Sequence, residues 1–261
     1  MDSGFYAACA GLRAQSQALE VSAHNLANLN TAGFRAQQTT FQSLMAGSRP
    51  GVSNALFNVV NSVVNSALNS ATNNFGVLEG SHLDLTAGSL EATGNPLDVA
   101  IKGGGFFAIQ TAGGTRYTRN GSFRVSSSGV LVTAAGDPVL GDLALKEKGV
   151  INVPPGAVTI ASDGTLSVNG AVAGSIQLVE FVPGTKLTSE GETLIAAPEG
   201  SAKPVSQPAM QQGALESSNV NSINSVVTLI GVQRQAEMLQ RAMTMFDSEL
   251  NQIASTQLAK V

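Results

Sequence analysis

Residues 229–253, LIGVQRQAEMLQRAMTMFDSELNQI, decide one end of the fold. Leu229, Val232, Ala236, Leu239, Met243, Phe246, Leu250 and Ile253 follow steps of three and four without a miss. That spacing draws one line along an α-helix, a heptad seam that buries itself against a partner helix. Between the seam positions lie Gln233, Arg234, Gln235, Glu237, Gln240, Arg241, Asp247, Glu249 and Asn251. Asn219, Asn221, Asn224 or Ser225 can cap the start of this helix, where short polar side chains satisfy orphan amides.

The other end carries a matching line. Phe5, Cys9, Leu12, Ser16, Leu19, Ala23 and Leu26 alternate by four and three, large residues at one position and small ones at the other. Gly11 is a blemish inside it, costing about 1 kcal/mol relative to Ala. The pattern stops at Asn28-Leu29-Asn30-Thr31-Ala32-Gly33, a breaker cluster with glycine at a helix end. Each seam needs a partner and the opposite terminus is the nearest candidate, so the two helices are expected to pair as a coiled coil.

The middle reads as antiparallel β structure. Residues 97–111 (LDVAIKGGGFFAIQT) give an apolar run, a triple glycine and a second apolar run. Asn120-Gly121, followed by alternating Phe123 and Val125, predicts a hairpin. Ser128-Gly129, Gly136-Asp137 and Asp163-Gly164 mark further turns, and residues 175–182 (SIQLVEFV) alternate again. Short strands at steps of about ten residues argue for a barrel or sandwich. The expected class is α+β, with boundaries at 1–35 (helix and turn), 36–93 (connecting segment), 94–196 (central β domain), 197–214 (Pro/Gln/Ser linker) and 215–261 (C-terminal helix). Residues 50–75 carry a four-residue Asn/Ser quasi-repeat (the Asn/Ser-rich part is 53–74) whose apolar positions suit a short helix and whose composition suits an irregular or extended segment nearly as well, and they are expected to lie against another protein surface.

Composition narrows the function. The 261 residues carry 14 Lys+Arg against 18 Asp+Glu, a net charge of -4, and 12% of them are charged, where about 25% is usual. Scattered cations in an acidic chain exclude phosphate-tracking nucleic-acid binding. A hydrophobic fraction of 43% is too high for a fully disordered chain, and no apolar run is long enough for membrane insertion. Cys9 alone excludes a disulfide framework. The first residues lack the basic and apolar regions of a Sec signal peptide.

No constellation for catalysis emerges. His24 and His82 stand far apart, neither with a second ligand type at metal spacing. Gly103-Gly104-Gly105 lacks the Lys-Ser/Thr of a phosphate loop and reads as a tight bend. Asp163-Gly164 lacks the companion ligands of a calcium loop, and Glu190 with Glu192 sits in a polar turn. No catalytic, cofactor-binding or metal-ligating residue is expected, and no cofactor.

Four blocks carry a resemblance. Ser22-Ala23-His24-Asn25-Leu26-Ala27-Asn28-Leu29-Asn30-Thr31-Ala32-Gly33-Phe34-Arg35 strongly resembles the N-terminal signature of bacterial flagellar rod and hook proteins, with His24 where Asn is commoner. Gly94 to Phe107 (GNPLDVAIKGGGFF) looks like the family's central motif, and Tyr117 to Phe123 (YTRNGSF) like a third. Leu215 to Asn221 (LESSNVN) resembles the signature that opens the C-terminal helix, in which Gln233-Arg234 also falls at a familiar place. Arg119-Asn120-Gly121 and Pro138-Val139-Leu140-Gly141 look most like the proximal-rod branch, the distal-rod branch being a close second. Residues 53–74 depart from both, in a part of the family that varies.

The resemblance implies a structural subunit and not an enzyme. Its terminal helices would line the inner tube of the flagellar axial structure, with the β domain outside. It would leave the cell through the flagellar type III export apparatus and reside in the basal-body rod, in the periplasmic space. Its partners would be other rod and hook-basal-body subunits. The expected assembly residues are Phe5, Leu12, Leu19, Asn25, Leu26, Asn28, Asn30, Thr31, Gly33, Phe34, Asn219, Asn221, Leu229, Val232, Leu239, Met243, Phe246, Leu250 and Ile253. A secreted β-domain adhesin with helical ends used only for oligomerisation, and a cell-wall hydrolase of the rod, are the competing classes.

Overall fold

A computed structural model describes residues 2–43, 76–141 and 149–258. Residues 53–74 fall outside the described residues. The chain opens with α1 (Asp2–Ala27) and closes with α2 (Ser222–Leu258). Between them run β1 (Gln37–Ser43), β2 (Gly76–Leu83), β3 (Leu90–Ala92), β4 (Val99–Ile101), β5 (Phe106–Thr111), β6 (Gly114–Thr118), β7 (Phe123–Val125), β8 (Leu131–Thr133) and β9 (Val158–Ile160). β10 (Thr165–Val168), β11 (Ala171–Ser175), β12 (Leu178–Phe181), β13 (Thr188–Glu190), β14 (Leu194–Ala196), β15 (Ala202–Pro204), β16 (Met210–Gln212) and β17 (Ala214–Glu216) follow. The class is α+β.

Two compact units divide the chain. One holds Met1–His24, Gln38–Ser81 and Ile223–Val261, the other Asn25–Gln37 and His82–Ser222.

The second unit is built on a six-stranded sheet in the order β13-β14-β6-β5-β12-β15, with antiparallel pairing throughout. A three-stranded sheet β11-β10-β9 and the pairs β7-β8, β16-β4 and β17-β3 surround it. β5 explains why its sequence is apolar at successive positions. Phe107 and Ile109 enter one core with Val99, Leu131, Val139 and Leu166, while Phe106 enters another with Val179, Leu187 and Ile195. Both faces of the strand are covered, so alternation is lost. Ring contacts tie the layers: Phe107 meets Phe123 edge-on at 5.0 Å, and Tyr117 meets Phe181 at 4.9 Å.

Three expectations change. Asn120-Gly121 does not turn a hairpin: β6 pairs with β5 and β14, whereas β7 pairs with β8. The Asn120 side chain instead accepts the Ser122 amide, and Gly121 is needed for close approach, because a Cβ there would overlap the Val99 carbonyl. Residues 197–214 are not merely a linker, since they supply β15 and β16. Proline is tolerated there because β15 is an edge strand, with Pro204 opposite Val179. Asn219 does not cap α2, whose first residue is Ser222.

In the first unit the two helices bury unequal lines. On α2 the half-buried residues are Ser225, Leu229, Val232, Ala236, Leu239, Ala242 and Met243, which contains the expected seam from Leu229 as far as Met243. On α1 the buried positions are Ala14, Ala18 and Ser22, while Ser16 and Ala23 of the expected seam point to solvent and Leu12, Leu19 and Leu26 are half-buried. A Cβ added to Gly11, on the same face as Ala14 and Ala18, would stand 3.4 Å from Leu239 Cδ1. The most buried line of α1 therefore runs through Ala14, Ala18 and Ser22, with the half-buried leucines beside it. The side chains of Phe5, Phe246, Leu250 and Ile253 lie outside the described ones.

Candidate functional site: the junction of four motifs

The four sequence blocks, the first of them from Asn25 onward, meet within the second unit. The turn after α1 is closed by its own polar groups. The Thr31 hydroxyl donates to Asn28 Oδ1 at 3.1 Å and the Thr31 amide to the Asn28 carbonyl at 3.2 Å. Asn25 clasps the chain as it leaves: Nδ2 donates to the Gln37 carbonyl at 2.8 Å, and the Gln37 amide donates to Oδ1 at 2.9 Å. Asn25 thus presents the two groups that a paired strand would offer. Asn28 acts within the turn, and Asn30 is exposed.

Gly33 joins this turn to two other blocks. Its amide donates to the Glu216 carbonyl at 2.7 Å. Its φ is 69°, in the left-handed region, and a Cβ would overlap the backbone at Arg119 and Asn120. Phe34 follows, almost wholly buried.

Beneath it lies a charged cluster. Arg35 Nη2 donates to Glu216 Oε1 at 2.6 Å, and Arg119 Nη1 donates to Oε2 at 3.0 Å. The Gly88 amide adds a third bond to Oε1 at 2.8 Å. Arg119 Nη2 donates to the Gly103 carbonyl at 2.7 Å, and its guanidinium stands 5.2 Å from the Phe106 ring centre. The Glu216 side chain is 1% exposed, and two guanidiniums share that single carboxylate. Arg35 Nε and Nη1 and Arg119 Nε are buried without a protein acceptor. Burial pulls the Arg119 guanidinium below its ordinary value, and Glu216 opposes that shift. The carboxylate therefore holds together two cations that would otherwise repel.

Asn219 completes the junction. Its Oδ1 accepts the Ala36 amide at 2.7 Å, and its Nδ2 donates to the carbonyls of Asp84 and Thr86 at 2.9 and 3.0 Å. The second block enters through Asp98, which is buried and accepts Thr93 Oγ1 at 2.7 Å and Asn95 Nδ2 at 2.9 Å. The Asp98 carbonyl accepts the Gly213 amide, and the Val99 amide reaches the Gly121 carbonyl.

Of the expected residues, Asn25, Asn28, Thr31, Gly33, Phe34 and Asn219 gather here. Asn221 stands immediately before α2. Leu12, Leu19, Leu26, Leu229, Val232, Leu239 and Met243 are half-buried on the helices. Sequence reasoning did not select Arg35, Arg119 and Glu216. Their signal is scarcity, because Arg35 is the single Asp, Glu, Lys or Arg between Glu20 and Arg49. The arrangement bonds backbone to backbone and offers no nucleophile with a base, so its chemistry is that of a clamp.

Comparison with known proteins places these features in one family. The family model described as flagella basal body rod protein matches residues 5–35. The flagellar hook protein FlgE/F/G D1 domain matches residues 100–168, and the flagellar basal body rod FlgEFG protein C-terminal model matches residues 211–256. The chain is 33% identical over 267 aligned residues to the flagellar basal-body rod protein FlgF of Caulobacter vibrioides, covering 100% of both chains. It is 34% identical to FlgF of Escherichia coli, covering 95% of each, and 30% identical to the rod protein FlgG of Bacillus subtilis, covering 96% of this chain and 97% of that one. With these matches running from end to end, the chain belongs to the flagellar basal-body rod protein family.

Proposed function

We infer that this chain is a structural subunit of the flagellar basal-body rod and works by assembly. The observation that carries this reading is the junction of Gly33, Arg35, Arg119, Glu216 and Asn219. It bonds the segment after α1 to the segment before α2 within the β unit. A clamp of that kind suits a subunit that works by assembly and carries no catalytic group at its junction. In this reading the helices pair as a coiled coil and line the inner tube. Leu12, Leu19, Leu26, Leu229, Val232, Leu239 and Met243, with Phe5, Phe246, Leu250 and Ile253, supply apolar surface. Burial of each large side chain contributes about 1.5–3 kcal/mol before ordering entropy is subtracted. Repeating a head-to-tail contact at a fixed rotation and rise gives a tube.

The position proposed is the proximal rod, on the resemblance of Arg119-Asn120-Gly121 and Pro138-Val139-Leu140-Gly141. The partners are other rod and hook-basal-body subunits and the flagellar type III export apparatus, the location is the periplasmic rod, and no catalytic step is involved. A distal-rod position is the second reading, favoured by relatives named FlgG at 30–31% identity. Deletion of residues 229–261 tests the function. The β unit should still fold, as read by circular dichroism, and should no longer enter basal bodies. Normal rod incorporation of the truncated chain would refute the reading, and labelling the chain in isolated basal bodies decides between the two positions.

A further inference from the structure

The ionic cluster of the junction holds two cations for one anion. Arg35 and Arg119 both bond to Glu216, at 2.6 and 3.0 Å. That carboxylate is divided further, because the Gly88 amide also donates to its Oε1. The Gly103 carbonyl and the Phe106 ring attend Arg119, but both are neutral. The acids nearby are engaged with other groups. Asp98 gives its two oxygens to Thr93 and Asn95, and Asp84 gives Oδ1 to Thr86. Solvent screens little of the surplus, since the Arg35 and Arg119 side chains are 2% and 4% exposed. Burial lowers the Arg119 guanidinium most, Glu216 opposes the shift and Arg35 adds to it, so the two cations feel each other.

The same side chains keep three N–H donors in hand. Arg35 Nε and Nη1 and Arg119 Nε are buried and meet no acceptor among the described residues. Buried donors are nearly always bonded, and one that finds no protein partner calls for a water or an ion. A water offers an acceptor but leaves the surplus charge uncompensated, which is the costly part of burial. A monovalent anion supplies both. One surplus charge asks for one negative charge, and enclosed donors ask for a compact ion. A halide meets both conditions, whereas sulfate or phosphate is bulkier and brings excess charge.

We propose that the junction is a halide site, in which chloride seats against the Arg35 guanidinium at Nε or Nη1 and completes the pairing of Arg35 and Arg119 with Glu216. The site belongs to the clamp and does not depend on the rod-subunit reading. An ion held there stabilises the folded β unit alone, because the unfolded chain disperses the three side chains that form the site. The clamp is then tightest where halide is plentiful.

Urea denaturation of the full chain tests it, with sodium gluconate exchanged stepwise for sodium chloride at constant ionic strength so that screening is unchanged. The folding equilibrium constant should rise with chloride, by about tenfold when chloride reaches about nine times its dissociation constant. Arg35→Met removes the donors and the surplus charge together and leaves Arg119 paired one-to-one with Glu216, so its stability should not respond to chloride. Crystals of the parent chain grown in bromide provide a measurement free of any variant. An anomalous peak should stand within hydrogen-bonding reach of Arg35 Nε or Nη1. Stability of the parent that ignores chloride, an equal response in Arg35→Met, or bromide peaks confined to the surface, an adventitious ion only, would each overturn the proposal. The rod reading is judged by the truncation above, whose outcome is independent of halide.

Discussion

Phe107 and Met238 are side chains of similar bulk in opposite circumstances. Phe107 on β5 is fully buried, packed edge-on against Phe123 with aliphatic neighbours around it. Met238 on α2 keeps 62% of its surface in water. The contrast extends to the units that hold them. In the β unit, β5 is covered on both faces, and two buried guanidiniums are bonded to one carboxylate at the junction. In the helical unit, a line of isoleucine, valine and methionine is exposed among the described residues. The β unit buries two apolar clusters of its own and leaves exposed hydrophobics such as Val172 scattered, whereas those of the helical unit line up along α2. Stability should therefore be set by the first and association by the second, and substitutions can test that separation.

The largest effect is expected at Glu216. Glu216→Gln keeps the shape and removes the charge that holds Arg35 and Arg119 together. Breaking a buried pair by neutralising one partner costs about 3–5 kcal/mol, because an uncompensated charge stays inside. Here two guanidiniums would be stranded at once. Urea denaturation followed by the β signal in circular dichroism should show that loss. A variant as stable as the parent would break the comparison, since the junction would then not govern the β unit.

Gly33→Ala comes next. Its Cβ would press on the Asn120 backbone at a φ of 69°, and strain of this kind costs about 2 kcal/mol. The same urea titration reads it. A neutral result would mean that the turn after α1 can move away from the β6 end without disturbing the core.

How much of this was legible depends on what each residue answers to. The α2 seam was readable because a heptad records one helix meeting one surface, and the half-buried line at Leu229, Val232, Ala236, Leu239 and Met243 follows it. The α1 seam misled at Ser16 and Ala23, because a hydrophobicity pattern overlooks small residues such as Ala14 and Ala18, which are the buried ones. The Asn-Gly rule shows the same limit. Asn120-Gly121 turns no hairpin, whereas Asn169-Gly170, with φ of 50° and 85°, does join β10 to β11. A local rule cannot distinguish a glycine kept for its φ from one kept because the Val99 carbonyl leaves no room for a side chain. The junction was visible as motifs and not as geometry, since Arg35 and Glu216 are 181 positions apart.

The smallest expected effect on stability is the sharpest probe of the contrast. Met245 is 66% exposed, and Met245→Gln removes apolar surface without opening a cavity. Away from caps, cores and buried pairs, a surface substitution stays within about 0.5 kcal/mol. Glutamine is also nearly as good a helix former as methionine, so propensity leaves α2 unchanged. Urea denaturation should thus show no difference from the parent. Self-association should fall, because a subunit that works by assembly buries its exposed apolar line against neighbours, and sedimentation at high protein concentration reads that fall. The two measurements must part company if the units divide the work as their burial suggests. A variant that lost stability would show that Met245 is held within its own chain. One that lost neither stability nor association would show that this end of the line stays in water after assembly.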